Sequence, residues 1–254
     1  MNSPLPLNQS ERKSLVRSQR TFQKEKGLHP RLHARDLDKK LGFKINRIEA
    51  KLLQKYRSYD EYSNEGGTQH YEGTQTWIGL PPQVLQTPYN DIYEALESLS
   101  QYPIERIVDI GCGYGRVGLV MNSLFPNAEF IGYEVLKQRA REANRVYEQL
   151  DLENCEVLLE NVLDDAFKLP KAQIYFIYDF SEMHDLCVIL DELVKRVNDY
   201  QFYLITVGER IDYLIERKYK PFWITNGFIK RGALKIYSSL NNIENRNDGN
   251  SNKG

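Results

Sequence analysis

The sequence predicts an α/β fold, a mostly parallel sheet of about seven strands with flanking helices, preceded by a basic helical N-terminal extension. Three observations carry this. The stretch Arg106 to Glu134, RIVDIGCGYGRVGLVMNSLFPNAEFIGYE, runs strand, glycine-rich turn, helix, strand and acidic residue. Short β-branched or aromatic runs then alternate with helical stretches as far as Ser239, as a parallel sheet with crossover helices requires. Charge is also uneven: residues 1–60 hold 15 Lys/Arg against 6 Asp/Glu, net +9, and the remainder is net −10.

With 254 residues, 41% of them hydrophobic, the chain has enough material for one sizeable core plus an extension. No unbroken apolar stretch is longer than Ile174 to Tyr178, far shorter than the roughly 18 residues of a membrane span. Met1 to Ser10 has no apolar signal core, so no membrane association and a cytoplasmic location are expected. Cys112, Cys155 and Cys187 are odd in number and widely spaced, which argues against a disulfide framework or a zinc site, and no metal is expected.

Taken in order, residues 1–85 form the basic extension and a Gly-rich lid loop. Residues 1–10 carry Pro4 and Pro6 and little to bury. Ser10 is expected to cap a helix running to Lys26, stopped by Gly27 and Pro30. Ile45, Ile48, Leu52, Tyr56 and Tyr59 form a helical stripe that packs on the body. Ser63 to Gly79, with its glycines, hydroxyls, Tyr71 and Trp77, reads as a lid. The domain proper spans residues 86–240. It opens with a helix capped by Thr87, with Pro88 at its first position and Ile92, Leu96 and Leu99 inward.

The strands expected next are Arg106–Ile110, Glu129–Tyr133, Glu156–Leu159, Gln173–Tyr178, Phe202–Val207, Phe222–Ile224 and Lys235–Ser239. Helices are expected at Arg116–Leu124, Leu136–Leu150, Met183–Val197 and Glu209–Arg217. Residues 241–254 have too little apolar content to order.

Gly111, Gly113 and Gly115 allow a tight turn whose N–H groups face a ligand, and Glu134 stands at the end of the next strand, where a carboxylate accepts both ribose hydroxyls. Gly113, Gly115 and Gly118 also spell the G-x-G-x-x-G of dinucleotide enzymes, so an NAD(P)-dependent oxidoreductase is the competing reading. Asp109 tips the balance between them. A carboxylate ahead of the first glycine repels a diphosphate and suits a cation, such as the ammonium and sulfonium of S-adenosylmethionine.

VDIGCGYG followed by GYE thus resembles the class I, Rossmann-like S-adenosylmethionine-dependent methyltransferases over residues 86–240. Within that family the chain is similar to the Rossmann-fold protein lysine methyltransferases, both the telomeric-silencing histone enzymes and their archaeal and mitochondrial relatives. The similarity rests on Gln86-Thr87-Pro88-Tyr89, GYE and IYFIYDF. It implies that Thr87 lies at the cofactor's methionine end, and that Asn161 and Val162 lie by the adenine.

Asp179-Phe180-Ser181-Glu182 comes directly after the fourth strand, at the carboxyl edge where acceptors bind. The resemblance implies Tyr178, Asp179 and Glu182 as the groups that hold a lysine amine and lead its proton away. Tyr178 and Asp179 depart from the amides usual in the histone enzymes. The tetrad lacks the prolines that hold planar amino groups, which disfavours adenine or glutamine acceptors. RNA, DNA or a small molecule stand as alternative acceptors, and the basic extension is the expected docking arm for a protein or other macromolecule.

Overall fold

The computed structural model describes residues 7–56, 69–71, 74–76, 78, 80–222 and 227–239. The start of the chain, Tyr59, most of the expected lid including Trp77, and the tail lie outside the described residues.

Three helices precede the sheet. Helix α1 (Gln9–Arg17) is capped by Asn8 and not by Ser10: the Asn8 side chain accepts the Glu11 N–H at 3.0 Å, and the Glu11 carboxylate accepts the Asn8 N–H at 2.7 Å. The helix ends at Arg17 and not at Lys26, and a 3₁₀ turn, Gln19–Thr21, comes next. Val16 and Phe22 are both fully buried. Six positions apart they would fall on different faces of one continuous helix, and the break at Ser18 lets both reach the core.

Helix α2 (Pro30–Leu41) is absent from the sequence expectation, in which Pro30 is a stop. Pro30 is instead the first helical residue, His29 caps it by accepting the Arg31 N–H at 3.2 Å, and Gly42 ends it at φ 91°. Helix α3 (Ile45–Tyr56) turns the first three members of the expected apolar stripe, Ile45, Ile48 and Leu52, onto the core. A short antiparallel hairpin, β1 (Gln69–Tyr71) and β2 (Thr74–Thr76), comes after it. Helix α4 (Tyr89–Glu97) begins after an extended Pro88, its N-cap, so Thr87 makes no cap; the Thr87 carbonyl accepts from Arg116 at 3.0 Å instead.

The body runs β3 (Arg106–Ile110), α5 (Arg116–Leu124), β4 (Glu129–Glu134), α6 (Lys137–Leu150), β5 (Cys155–Leu159), β6 (Ile174–Tyr178), α7 (Met183–Val194), β7 (Tyr203–Val207), α8 (Glu209–Lys218), β8 (Ile229–Arg231) and β9 (Leu234–Ser238). These strands form one seven-stranded sheet in the order β5-β4-β3-β6-β7-β9-β8. The first five in that order are parallel, and β9 and β8 close the edge antiparallel.

The strand expected at Phe222–Ile224 is a correction. Phe222 ends a 3₁₀ turn, Lys220–Phe222, because its ring is drawn into the core 5.9 Å from that of Phe202; residues 223–224 lie outside the described residues, and Ile229–Arg231 pairs with β9.

Two apolar layers sandwich the sheet. Ile107 packs into the layer under α4, α5 and α6, and Val108 and Ile110 into the layer under α7 and α8. By alternation Asp109 faces the α4–α5 side, which α1 and α2 cover from outside. Among the described residues no helix is long and apolar enough to cross a membrane.

Candidate functional site

Strand order reverses between β3 and β6, the place where open α/β sheets bind ligands. The turn after β3 is built for it. The N–H groups of Gly111 and Cys112 both donate to the Tyr133 carbonyl at 3.0 Å, which pins the turn to the end of β4. Gly111 has φ 74°, and a Cβ there would lie 2.8 Å from Phe180 Cβ, so only glycine lets the loop after β6 approach the turn. Gly115 caps α5 from behind, its carbonyl accepting from Tyr147 O–H at 2.5 Å, and it does not line the cleft.

The cleft has two joined halves. The larger, about 690 Å³, runs past Gly111, Gly113, Glu134, Arg139, Asn161 and Val162. The smaller, about 320 Å³, is bounded by Gln86, Thr87, Asp109, Cys112 and Arg116. Leu85, Gly111 and Tyr178 belong to both. The structure therefore gathers Thr87, Asp109, Gly111, Gly113, Glu134, Asn161, Val162 and Tyr178 around one elongated space.

Two carboxyl groups face the space where a ligand would lie. Glu134 is buried; one carboxylate oxygen accepts the Gly113 N–H at 3.0 Å and the other the Leu136 N–H at 2.8 Å. Burial pushes its pKa up, while Arg139 and these two N–H groups pull against the shift. Burial, reinforced by Glu134, pushes Asp109 well above the usual carboxylate range. Two carboxylates that crowd each other in a buried cleft suit a ligand that brings positive charge and disfavour one that brings phosphates.

Two buried arginines flank the cleft, each held by an acid of the extension. Arg116 pairs with Asp38 of α2, Nε at 3.2 Å and Nη2 in a short contact, and Asp38 also accepts from Tyr89 O–H at 2.8 Å. Arg139 donates to Glu49 of α3 through Nε at 2.8 Å and Nη2 at 3.0 Å, and Tyr114 of the glycine-rich turn donates to the same Glu49 at 2.7 Å. Sequence reasoning assigned none of Asp38, Glu49, Tyr114, Arg116 and Arg139 to the site. The available signal was an acid inside each apolar stripe: Asp38 among Ala34, Leu37 and Leu41, and Glu49 among Ile45, Ile48 and Leu52.

Other expected residues are already engaged. The Asn161 carbonyl accepts the Leu163 N–H at 3.1 Å and its amide donates to Asp164 at 3.0 Å, which leaves one carbonyl lone pair for a ligand. Tyr178 O–H donates to the Val84 carbonyl at 2.9 Å. Asp179 is ion-paired with Arg210, at 2.9 Å to Nε and 2.8 Å to Nη2. Glu182 is exposed, 3.7 Å from Arg210, and lines neither half of the cleft. Asp179, Tyr178 and Arg210 do meet at a third opening of about 620 Å³, walled by Leu80, Val84 and Leu85.

Residues 104–178, from just before β3 through β6, match a family model described as putative methyltransferase. No curated protein matches the chain. Similar solved structures include a SAM-dependent methyltransferase from Aquifex aeolicus, with 15% identity over 63% of this chain and 94% of that one and a TM-score of 0.44. Human N-acetylserotonin methyltransferase in complex with SAM shows 14% identity over 59% and 50%, TM-score 0.42. The mitomycin 7-O-methyltransferase shows 16% over 58% and 52%, TM-score 0.43. The chain spans about half or less of several structures it matches. The segment matched by the family model supplies most of the cleft, whose paired carboxylates suit a cationic cofactor: over that segment the chain is similar to a methyltransferase.

Proposed function

We propose that the protein transfers a methyl group from S-adenosylmethionine to the side-chain amine of a lysine in another protein. The observation that carries this is the third opening. Its walls at Leu80, Val84, Leu85 and Tyr178 are apolar, it shares Leu85 and Tyr178 with both halves of the cofactor cleft, and it ends at the Asp179–Arg210 ion pair. A lysine stem fits apolar walls while its nitrogen seeks a polar end.

The residues present suit the cofactor: Glu134 for the ribose hydroxyls, Val162 and Asn161 for the adenine, and Asp109 for positive charge at the methionine end. When bound, the cofactor supplies an electrophilic methyl on a sulfonium. The chain then has to position an acceptor and leave it neutral. Only about one free lysine in a thousand is neutral at pH 7, given a pKa near 10.4. Arg210 lowers the net charge at Asp179, so the pair guides the amine in without holding it as an ammonium as strongly as a lone carboxylate would.

The protein partner docks on the extension in this reading. Arg20, Lys24, Lys26 and Lys40 line a groove between the turn after α1 and helix α2. Glu25, Asp36 and three leucines share the groove, a mixed lining that suits an acidic, partly apolar peptide better than a nucleic-acid backbone. The test is incubation with methyl-labelled S-adenosylmethionine and a cell extract, then fractionation and mass spectrometry. Label on protein lysines is expected; label confined to RNA, DNA or small molecules contradicts the reading.

A further inference from the structure

We propose that Glu49 of the N-terminal extension is a positioning residue for cofactor binding: it holds Arg139 and Tyr114 so that Glu134 and the glycine-rich turn are set for the ribose. The inference rests on the cofactor assignment above and extends the site to a helix outside the region of family resemblance.

The geometry is a closed ring of contacts. Gly113 N–H donates to Glu134 at 3.0 Å. The next residue, Tyr114, donates its O–H to Glu49 Oε1 at 2.7 Å. The same oxygen accepts Arg139 Nε at 2.8 Å, and Glu49 Oε2 accepts Nη2 at 3.0 Å. Arg139 lines the cleft beside Glu134 and interacts electrostatically with it, which closes the ring. Glu49, Tyr114, Arg139 and Glu134 are all less than a tenth exposed, so solvent screens none of these interactions effectively.

Arg139 thus lies between two carboxylates. Its bidentate bonds go to Glu49, and this leaves the Glu134 oxygens to Gly113, Leu136 and a ligand. Without the Glu49 charge, the same guanidinium has one carboxylate left to satisfy, and a planar fork turned onto Glu134 competes with the ribose hydroxyls for it. Tyr114 loses a charged acceptor at the same time, so the glycine-rich turn loses its tie to α3. Docking of α3 and occupancy of the cofactor cleft are then coupled, and by linkage each strengthens the other.

The test measures S-adenosylmethionine affinity by calorimetry on the full chain and on E49Q, R139Q and E49Q/R139Q. E49Q is expected to weaken binding about tenfold or more, the loss of one charge-assisted interaction. The double variant is expected to recover most of that loss, because the cation that captures Glu134 is gone; a merely structural Glu49 predicts no recovery. A double variant as weak as E49Q overturns the proposal, as does an E49Q protein that binds like the unchanged chain. If the variants do not fold, hydrogen exchange on the unchanged chain decides. Bound cofactor should slow α3 amides at Ile48 to Leu52 more than the distant α8 amides at Leu214 and Ile215, and equal slowing overturns the coupling. An unchanged chain that does not bind S-adenosylmethionine at all defeats the cofactor assignment instead.

Discussion

Arg116, the first residue of α5, is held by Asp38 on the inner face of α2, and both residues are almost fully buried, at 4% exposure each. The extension is therefore built into the body. Because Asp38 and Glu49 face inward, the outer face of residues 7–56 is more basic than that segment's net +9, 14 Lys/Arg against 5 Asp/Glu, indicates.

Removing Asp38 leaves a buried guanidinium without its carboxylate. Asp38→Ala should cost about 3–5 kcal/mol of stability, measured by urea unfolding. Deletion of residues 1–56 strands Arg116 and Arg139 together and should abolish a cooperative transition. A truncated domain that unfolds cooperatively with near-native stability would contradict the integration of the extension.

Asp109 opposes folding in the unliganded protein. Its folded pKa is raised, so the folded state binds the proton more tightly than the unfolded one; that stability is fully present below the unfolded value near 4 and is lost as pH rises through the folded value. Asp109→Asn should therefore raise Tm at pH 7, with the gain shrinking toward pH 4. The same change should weaken S-adenosylmethionine binding about ten- to a hundredfold. Scanning calorimetry checks the first expectation and titration calorimetry the second. In the unchanged chain a bound cation favours ionised Asp109, so cofactor binding should release protons at any pH where the unliganded carboxyl is protonated, seen as a dependence of the binding heat on the buffer's ionisation enthalpy.

The central strands and their turn are legible in the sequence because the signal is local: β-branched runs, glycines and one carboxylate at each strand end. Thr87, Asp109, Gly111, Gly113, Glu134, Asn161 and Val162 all reach the cleft wall. What escapes is non-local. Nothing near Glu49 announces that Arg139, ninety positions on, is its partner. Pro30 has the signature of a breaker when taken alone, and only the apolar stripe of Ala34, Leu37 and Leu41 after it makes it a first helical residue. Gly115 has the spacing of a cleft residue but the job of a packing surface against Tyr147.

At the opening proposed for the acceptor, Asp179→Asn should lower kcat/KM for a lysine peptide and leave cofactor affinity within about threefold, since Asp179 does not line the cleft proposed for the cofactor. Its stability cost should be about 1 kcal/mol or less, as Arg210 is 35% exposed. Steady-state kinetics and cofactor titration on the same protein check both; an unchanged kcat/KM would remove Asp179 from the acceptor site.

Charge reversal on the groove, Lys24→Glu with Lys26→Glu and Lys40→Glu, should raise KM for a protein acceptor and flatten its salt dependence, with kcat for a short peptide unchanged. Equal KM values before and after reversal would remove the extension from substrate docking.

The most direct measurement of the cofactor assignment is titration calorimetry of the full chain with S-adenosylmethionine and, separately, with NAD(P). One saturable site for S-adenosylmethionine, weakened about ten- to a hundredfold by Glu134→Ala, is the predicted result. Saturable binding of NAD(P) with no heat from S-adenosylmethionine would contradict it.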